Sequence, residues 1–188
     1  MYHLSLLEET SMKTWIIDSD HTVAAFRVRH MMVANVHGQF NKVSGTIHFD
    51  PADIARSSVE VSIDASSIYT GIPKRDEHLR SEDFLDAGNH PYITFKSTRA
   101  ESAGSNRFKV TGDLAIRGIT QQVTLEAEYF GPVKDPFDEN GMSMGFVASV
   151  AIDREDYKMT WNVAMESSGV VVGKEVKVTL EVEADLVT

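Results

Sequence analysis

The sequence predicts an all-β domain whose sheet either closes on itself as a barrel or splits into a sandwich. Three observations carry that expectation. From Trp15 onward the dominant hydrophobic period is two, the signature of half-buried strands. Each run has one apolar face and one polar or charged face, with no complementary layer of amphipathic helices, so the apolar faces must meet one another. Turn-forming clusters punctuate the runs at DPAD (50–53), SAGSN (102–106), RGIT (117–120) and GPVKDPFDENG (131–141). There is no internal repeat, low-complexity segment or dividing linker, and 188 residues suit one domain.

Eight strands follow from the alternation. Residues 22–30 set Ala24, Phe26, Val28 and His30 against Arg27 and Arg29. Residues 43–50 set Val43, Gly45, Ile47 and Phe49 against Ser44, Thr46, His48 and Asp50. In 58–64, Val59, Val61 and Ile63 share a face, and in 92–98 Ile93 and Phe95 do. Residues 108–117 align Phe108, Val110, Gly112, Leu114 and Ile116. The clearest runs are 122–130 (Val123, Leu125, Ala127, Tyr129), 142–152 (Met142, Met144, Phe146, Ala148, Val150, Ile152) and 175–186 (Val176, Val178, Leu180, Val182, Ala184, Leu186).

Two segments break the period. Residues 31–39, MMVANVHGQ, place Met31, Val33, Ala34 and Val36 near helical spacing and read as a short helix or turn folded onto the sheet. Residues 74–91, KRDEHLRSEDFLDAGNHP, carry ten ionisable side chains and only three large apolar ones, Leu79, Phe84 and Leu85. Pro73 suits a first helical turn and His90-Pro91 ends the segment. It reads as a helical insert, about 73–87, anchored by those three residues.

Composition excludes several chemistries. The chain has no cysteine, so disulfides, thiol nucleophiles and cysteine-type zinc sites are ruled out. A net charge of −10 disfavours non-specific attraction to nucleic acid or anionic membrane. No window approaches a membrane-spanning helix. The opening MYHLSLLEETSMK lacks the architecture of a signal peptide. Residues 1–13 are read as an extension, disordered or upstream of a start at Met12. The expected location is cytoplasmic, or periplasmic if the N-terminus is misassigned.

No P-loop, dinucleotide fingerprint, EF-hand loop or G-x-S-x-G elbow occurs. The seven histidines include no H-x-H or H-x-x-x-H pair, and no metal site is expected. The carboxylates Glu82, Asp83 and Asp86 read as a solvated face. His30 shares the parity of Phe26 and Val28, so it is expected to point inward, as a satisfied core polar group or a donor to a ligand. An eight-stranded barrel is just wide enough to be filled by side chains or to hold one small ligand. The inward set mixes large residues with Ala24, Gly45, Gly112, Ala127, Ala148 and Ala184, whose small size leaves room. A cavity and a filled core both remain open at this point.

Specific motifs then appear in fixed order. Trp15-x-x-Asp18, His21 and Phe26-x-Val28-x-His30 come first, followed by Gly38-x-Phe40 and Gly45-x-Ile47-x-Phe49-Asp50. Ser67-Ile68-x-Thr70, Arg75-Asp76-x-His78-Leu79 and Ser81-x-Asp83-Phe84-x-Asp86 come next, with Pro91 and Phe95. Gly112-Asp113-Leu114-x-Ile116-x-Gly118-x-Thr120 closes the series. This arrangement, over about residues 14–188, resembles the YceI-like family of bacterial polyisoprenoid-binding proteins. The resemblance implies a single lipocalin-like eight-stranded antiparallel barrel, often dimeric, whose apolar interior takes a long isoprenoid or other amphiphile. Polyprenyl diphosphates, quinones and fatty amides are the implied ligands, for carriage or sequestration, with stress response among the expected roles. No catalysis and no cofactor beyond the bound lipid are expected.

The candidate cavity residues are Phe26, Val28, His30, Phe40, Ile47, Phe49, Val61, Ile63, Phe84, Ile93, Phe95, Leu114, Met144 and Phe146. Arg75 and His78 are candidates for a polar headgroup at the mouth, under a cap spanning 72–90 in which Phe84 and Leu85 plug the opening. The alternative reading is that Arg75, Asp76 and Asp83 form a charge network that only pins the insert to the barrel. Two rival functions stand beside lipid binding. One is a small barrel isomerase or cyclase using His30, and the other a filled-barrel dimeric module contacting through Ser143, Gly145, Val147, Ser149 and Ala151.

Overall fold

The computed structural model describes residues 12–138, 140–165 and 169–187. The strands are β1 (Lys13–Ile17), β2 (Val23–His30), β3 (Ala34–Phe40), β4 (Val43–Phe49), β5 (Ser58–Asp64) and β6 (Ile68–Tyr69), then β7 (Tyr92–Ser102), β8 (Arg107–Ile116), β9 (Ile119–Lys134), β10 (Met142–Asp153) and β11 (Val172–Leu186). One α-helix, α1 (Pro73–Arg80), lies between β6 and β7. All pairings between strands are antiparallel.

Eight strands close the barrel in the order β1–β4–β5–β7–β8–β9–β10–β11, with β1 returning to β11. The expected count is therefore met, with a different membership. β1 was not among the predicted strands, because five residues are too few to display a period. Trp15 and Ile17 are nonetheless buried while Ile16 is exposed. β2 occupies the rest of the same β11 edge. Ala184–Leu186 carry β1 and Val172–Glu181 carry β2. β2 then pairs with β3, and β3 with β6, as a flap continuous with the ring.

The hand-over from β1 to β2 is held at Glu183. Asp18 N–H donates to the Glu183 carbonyl at 2.9 Å, and the Glu183 N–H donates to Thr22 Oγ1 at 3.2 Å. The Asp18 carboxylate meets the His21 ring at 2.6 Å across the turn.

Residues 31–39 correct the helical expectation. Met31 and Met32 occupy a tight turn with φ of 49° and 62°, and the chain returns as β3 with Val36 opposite Val28 and Phe40 opposite Ala24. The inward series of β3 is Val36, Gly38 and Phe40. The glycine contributes no side chain, so the period of two was invisible, and turn residues supplied the false helical spacing.

The core has a cluster at each end of the barrel. At one end Phe49 packs against Tyr129, Phe146 and Phe108, with ring centroids 4.9, 5.2 and 5.6 Å apart, above Trp15, Met144 and Ala184. At the other end Ile68, Leu85, Ile93, Ile116, Ile152, Tyr157 and Met159 pack together. Burial pushes the Tyr157 hydroxyl up to about 12. Interior glycines do not simply leave space, as the sequence reading supposed. A Cβ at Gly112 would stand 2.6 Å from the Phe95 ring and 2.4 Å from the Lys96 carbonyl, and one at Gly38 would stand 2.4 Å from the Phe26 ring. These glycines seat aromatic rings against bare backbone.

Gly112→Ala forces either the Phe95 ring or the β7 backbone to move. It is expected to cost about 2 kcal/mol, read from urea unfolding midpoints at unchanged slope. A neutral result would show that the Phe95 ring relocates freely.

Candidate functional site

Inward residues of β2, β4, β5, β7, β8, β9, β10 and β11 enclose a cavity of about 240 Å³ between the two clusters. From Phe146 to Ile152 on β10 the wall extends roughly 20 Å along the strand, so the space is long for its volume. Its wall is overwhelmingly apolar. Ala127 and Ala148 line it beside Phe95, Phe108 and Phe146, and Val176, Val178, Leu180 and Val182 give it a continuous stripe on β11. The polar residues along it are His48, Ser57, Ser58, Thr94 and Arg154, of which His48, Ser58 and Thr94 are exposed at the outer face of their strands.

The cap is built by α1 and the turns through residue 91. Pro73 occupies the first turn of α1, as its fixed φ favours, and Ser81 closes the helix by donating both its N–H and its hydroxyl to the His78 carbonyl, at 3.1 and 2.7 Å. One edge of the cap is bound to the Ser66–Thr70 segment. Asp76, buried, accepts from the Thr70 N–H at 2.9 Å and from its hydroxyl. Arg75 donates to Thr70 Oγ1 and to the Thr70 carbonyl at 2.7 and 2.8 Å, and Arg80 donates to the carbonyls of Ser66 and Ile68 at 2.8 and 3.1 Å. The other edge is apolar. Phe84 and Leu85 are each 7% exposed and line the cavity together with Leu79. The His78 ring donates from Nε2 to the Asp83 carboxylate at 2.8 Å and stands edge-on to Phe84 and Trp161 at 5.0 and 4.7 Å.

Twelve of the fourteen cavity candidates line this space: Phe26, Val28, Phe40, Ile47, Phe49, Val61, Ile63, Phe84, Ile93, Phe95, Leu114 and Phe146. Two do not. His30 ends β2, where a register shift in β11 between Val172 and Val176 breaks the regular ladder, and it is half-buried outside the lining. Met144 is 2% exposed and packs into the closed end beneath the cavity. Arg75 is engaged by Thr70, and His78 by Asp83 and two aromatic rings, so neither stands in the lining.

The sequence reading missed the segment 154–161. Arg154 is 2% exposed and borders the cavity, yet its guanidinium donates to three carbonyls, those of Gly173 at 2.9 Å, Val172 at 3.3 Å and Met159. It joins the turn after β10 to the start of β11 and presents little free donor capacity to a ligand. Burial pushes its guanidinium down from the ordinary range. Met159 and Trp161 complete the cap end. An isolated Arg in REDYKMTW carries no signal of burial; only the Met and Trp hinted at packing.

Asp18, His21 and Glu183 bring their ligand-capable atoms within 4.8 Å of one another on the outside of the barrel. His21 is exposed, and the Asp18–His21 bond already accounts for the contact. That bond, the largest cause for each group, holds the Asp18 carboxyl below its ordinary 3.8 and the His21 ring above its ordinary 6.5. The pair's stabilisation is therefore lost as pH rises from 6.5 through the raised His21 value, and also as pH falls from 3.8 through the lowered Asp18 value. An NMR titration should place the His21 midpoint above 6.5, and Asp18→Asn should return it toward 6.5. An unchanged midpoint in the variant would remove Asp18 as the cause.

Comparison with known proteins places this geometry. The model of the YceI-like domain matches residues 15–184. A UPF0312 protein of Vibrio parahaemolyticus is 38% identical over 145 residues, 76% of each chain. A UPF0312 protein of Staphylococcus aureus is 35% identical over 166 residues, covering 88% of this chain and 94% of its own. Among solved structures, the Campylobacter jejuni YceI protein superposes with a TM-score of 0.70 at 30% identity, covering 84% of this chain and 88% of that one. The polyisoprenoid binding domain from Saccharophagus degradans shares the fold, with a TM-score of 0.65 at 14% identity, covering 94% and 99%.

Proposed function

The chain belongs to the YceI-like domain family, and from that footing we propose that it binds a long apolar or amphiphilic ligand in the barrel, without catalysis, for carriage or sequestration. The observation that supports this reading is the apolar cavity of about 240 Å³ running beneath the cap. Isoprenoid, quinone side-chain and fatty acyl tails all suit such a wall. The likeness in fold to a polyisoprenoid binding domain favours the isoprenoid class. Affinity would come from buried apolar area, at roughly 25 cal/mol per Å² before association losses.

A headgroup belongs outside the apolar stretch. Among the described residues, the one Lys or Arg lining the cavity, Arg154, is already committed to backbone carbonyls. A barrel enzyme would need an acid or base facing the ligand, and His30 stands outside the lining. The filled-barrel module is disfavoured by the cavity itself. Val147, 36% exposed, and its neighbours Ser143, Gly145, Ser149 and Ala151 are the surface that a second copy would cover.

Native mass spectrometry of freshly purified protein, with solvent extraction, is expected to reveal a bound lipid or uptake of an added polyprenol. A spectrum that stays ligand-free after addition of isoprenoids and fatty amides would overturn the proposal. Ala148→Phe fills the middle of the cavity at a stability cost of about 1–3 kcal/mol and should abolish uptake while the barrel stays folded. Phe84→Ala opens the cap and should speed ligand exchange at least about tenfold if its lost burial, about 3 kcal/mol, is mostly a barrier to opening. Unchanged exchange would leave the cap as a fixed wall.

A further inference from the structure

Outside the barrel, one face departs from the acidic character of the chain. Arg27 and Arg29 project outward from β2 beside Lys174 and Lys177 of β11, and these four cations line a shallow groove with Met32, Asn35, Gly173 and a single acid, Glu175. The ion pairs here are Lys174 with Glu155 at 2.7 Å and Lys177 with Glu175 at 3.4 Å. Among the described residues neither arginine takes part in one. Arg27 lies directly opposite Lys177 in one ladder and opposite His37 in the other. Like charges in directly opposed positions repel, and a sheet built only for stability avoids them. The chain as a whole carries −10.

The groove runs into an apolar tip. Met31, Met32 and Val33, in the turn between β2 and β3, are 46%, 56% and 80% exposed, and Val163 is 49% exposed. Met31 N–H donates to the Val171 carbonyl at 2.8 Å, and Val171 N–H donates to the Val163 carbonyl at 3.1 Å, so Val171 ties the tip to Val163. Two residues before Val163, Trp161 packs on His78 and Phe84 of the cap. The tip therefore lies at the cap end of the barrel. Both methionines hold positive φ, where glycine or asparagine would be at ease. The turn keeps bulky apolar side chains in water at a position that favours small polar ones.

We propose that this face docks the protein on an anionic lipid surface, with Met31, Met32, Val33 and Val163 entering the headgroup boundary and Arg27, Arg29, Lys174 and Lys177 meeting lipid phosphates. Apolar side chains flanked by cations are the combination that binds such an interface. The −10 net charge repels every other orientation, so docking brings the cap end to the membrane. The charge complementarity stands whether or not the cavity takes a lipid.

The test is co-sedimentation of the full chain with vesicles of phosphatidylcholine alone or with about 30% phosphatidylglycerol. Binding should appear with the anionic lipid and weaken as salt is raised. Arg27→Glu with Arg29→Glu should weaken it at least about tenfold. Met32→Ser with Val33→Ser should also weaken it, whereas Phe137→Ser, at a 97% exposed residue away from this face, should not. Ligand uptake measured on the same variants should be retained. Equal partition on neutral and anionic vesicles, or charge-reversed protein that binds like the parent, would overturn the proposal. So would absence of vesicle binding alongside binding to an acidic protein or polyanion.

Discussion

Three residue pairs join the first strand of the barrel to the last: Trp15 with Leu186, Ile16 with Asp185 and Ile17 with Ala184. Without them the sheet has two open edges and its apolar faces have nothing to meet. Closure is thus a long-range event between opposite ends of the chain, and it rests on a strand of only five residues. Side chains compensate for the short ladder. Trp15 and Ile17 are 1% and 5% exposed and join the aromatic cluster around Phe49. Burial of each is worth about 1.5–3 kcal/mol, more than the backbone pairs add. Because β2 takes the rest of the same edge, Glu183 becomes the point where one partner strand replaces another.

That arrangement explains how the interior combines rigidity with space. The closed end is packed to near exclusion of solvent around Trp15, Met144 and Ala184. Towards the cap, the rings of Phe26 and Phe95 lie against glycine backbone, while Ala127 and Ala148 keep the centre open. The glycines bring large rings close to the wall and the alanines withhold them from the axis. Space inside the barrel is consequently a property of paired positions on neighbouring strands.

The barrel and most of its interior were legible because alternation reports which way a strand residue points. It placed Phe95, Leu114 and Phe146 toward the cavity, where they lie. It failed where local chemistry interrupts the ladder. β1 is too short to show a period, β3 hides one behind Gly38, and His30 sits where β11 shifts register. Met144 has the right parity but the wrong depth, because parity fixes the face and says nothing of position along the axis. The charged insert was recognised as a cap from Phe84 and Leu85, whereas the engagement of Arg75 with Thr70 depends on a tertiary fold that spacing does not encode. Arg154 was invisible, since its acceptors are main-chain carbonyls, which every sequence possesses.

The two edges of the cap are made of different forces. Along one, Arg75, Asp76 and Arg80 hold the Ser66–Thr70 segment through directional hydrogen bonds. Along the other, Phe84 and Leu85 rest on the cavity wall with no direction to their attraction. Were the cap to open, the first edge would serve as hinge and the second as latch, and temperature separates them. Apolar attachment weakens on cooling while hydrogen bonds to the backbone do not weaken in the same way. Cooling therefore loosens the Phe84–Leu85 edge of the cap before the hydrogen-bonded one, so the thermal response of this end of the barrel is set by two side chains.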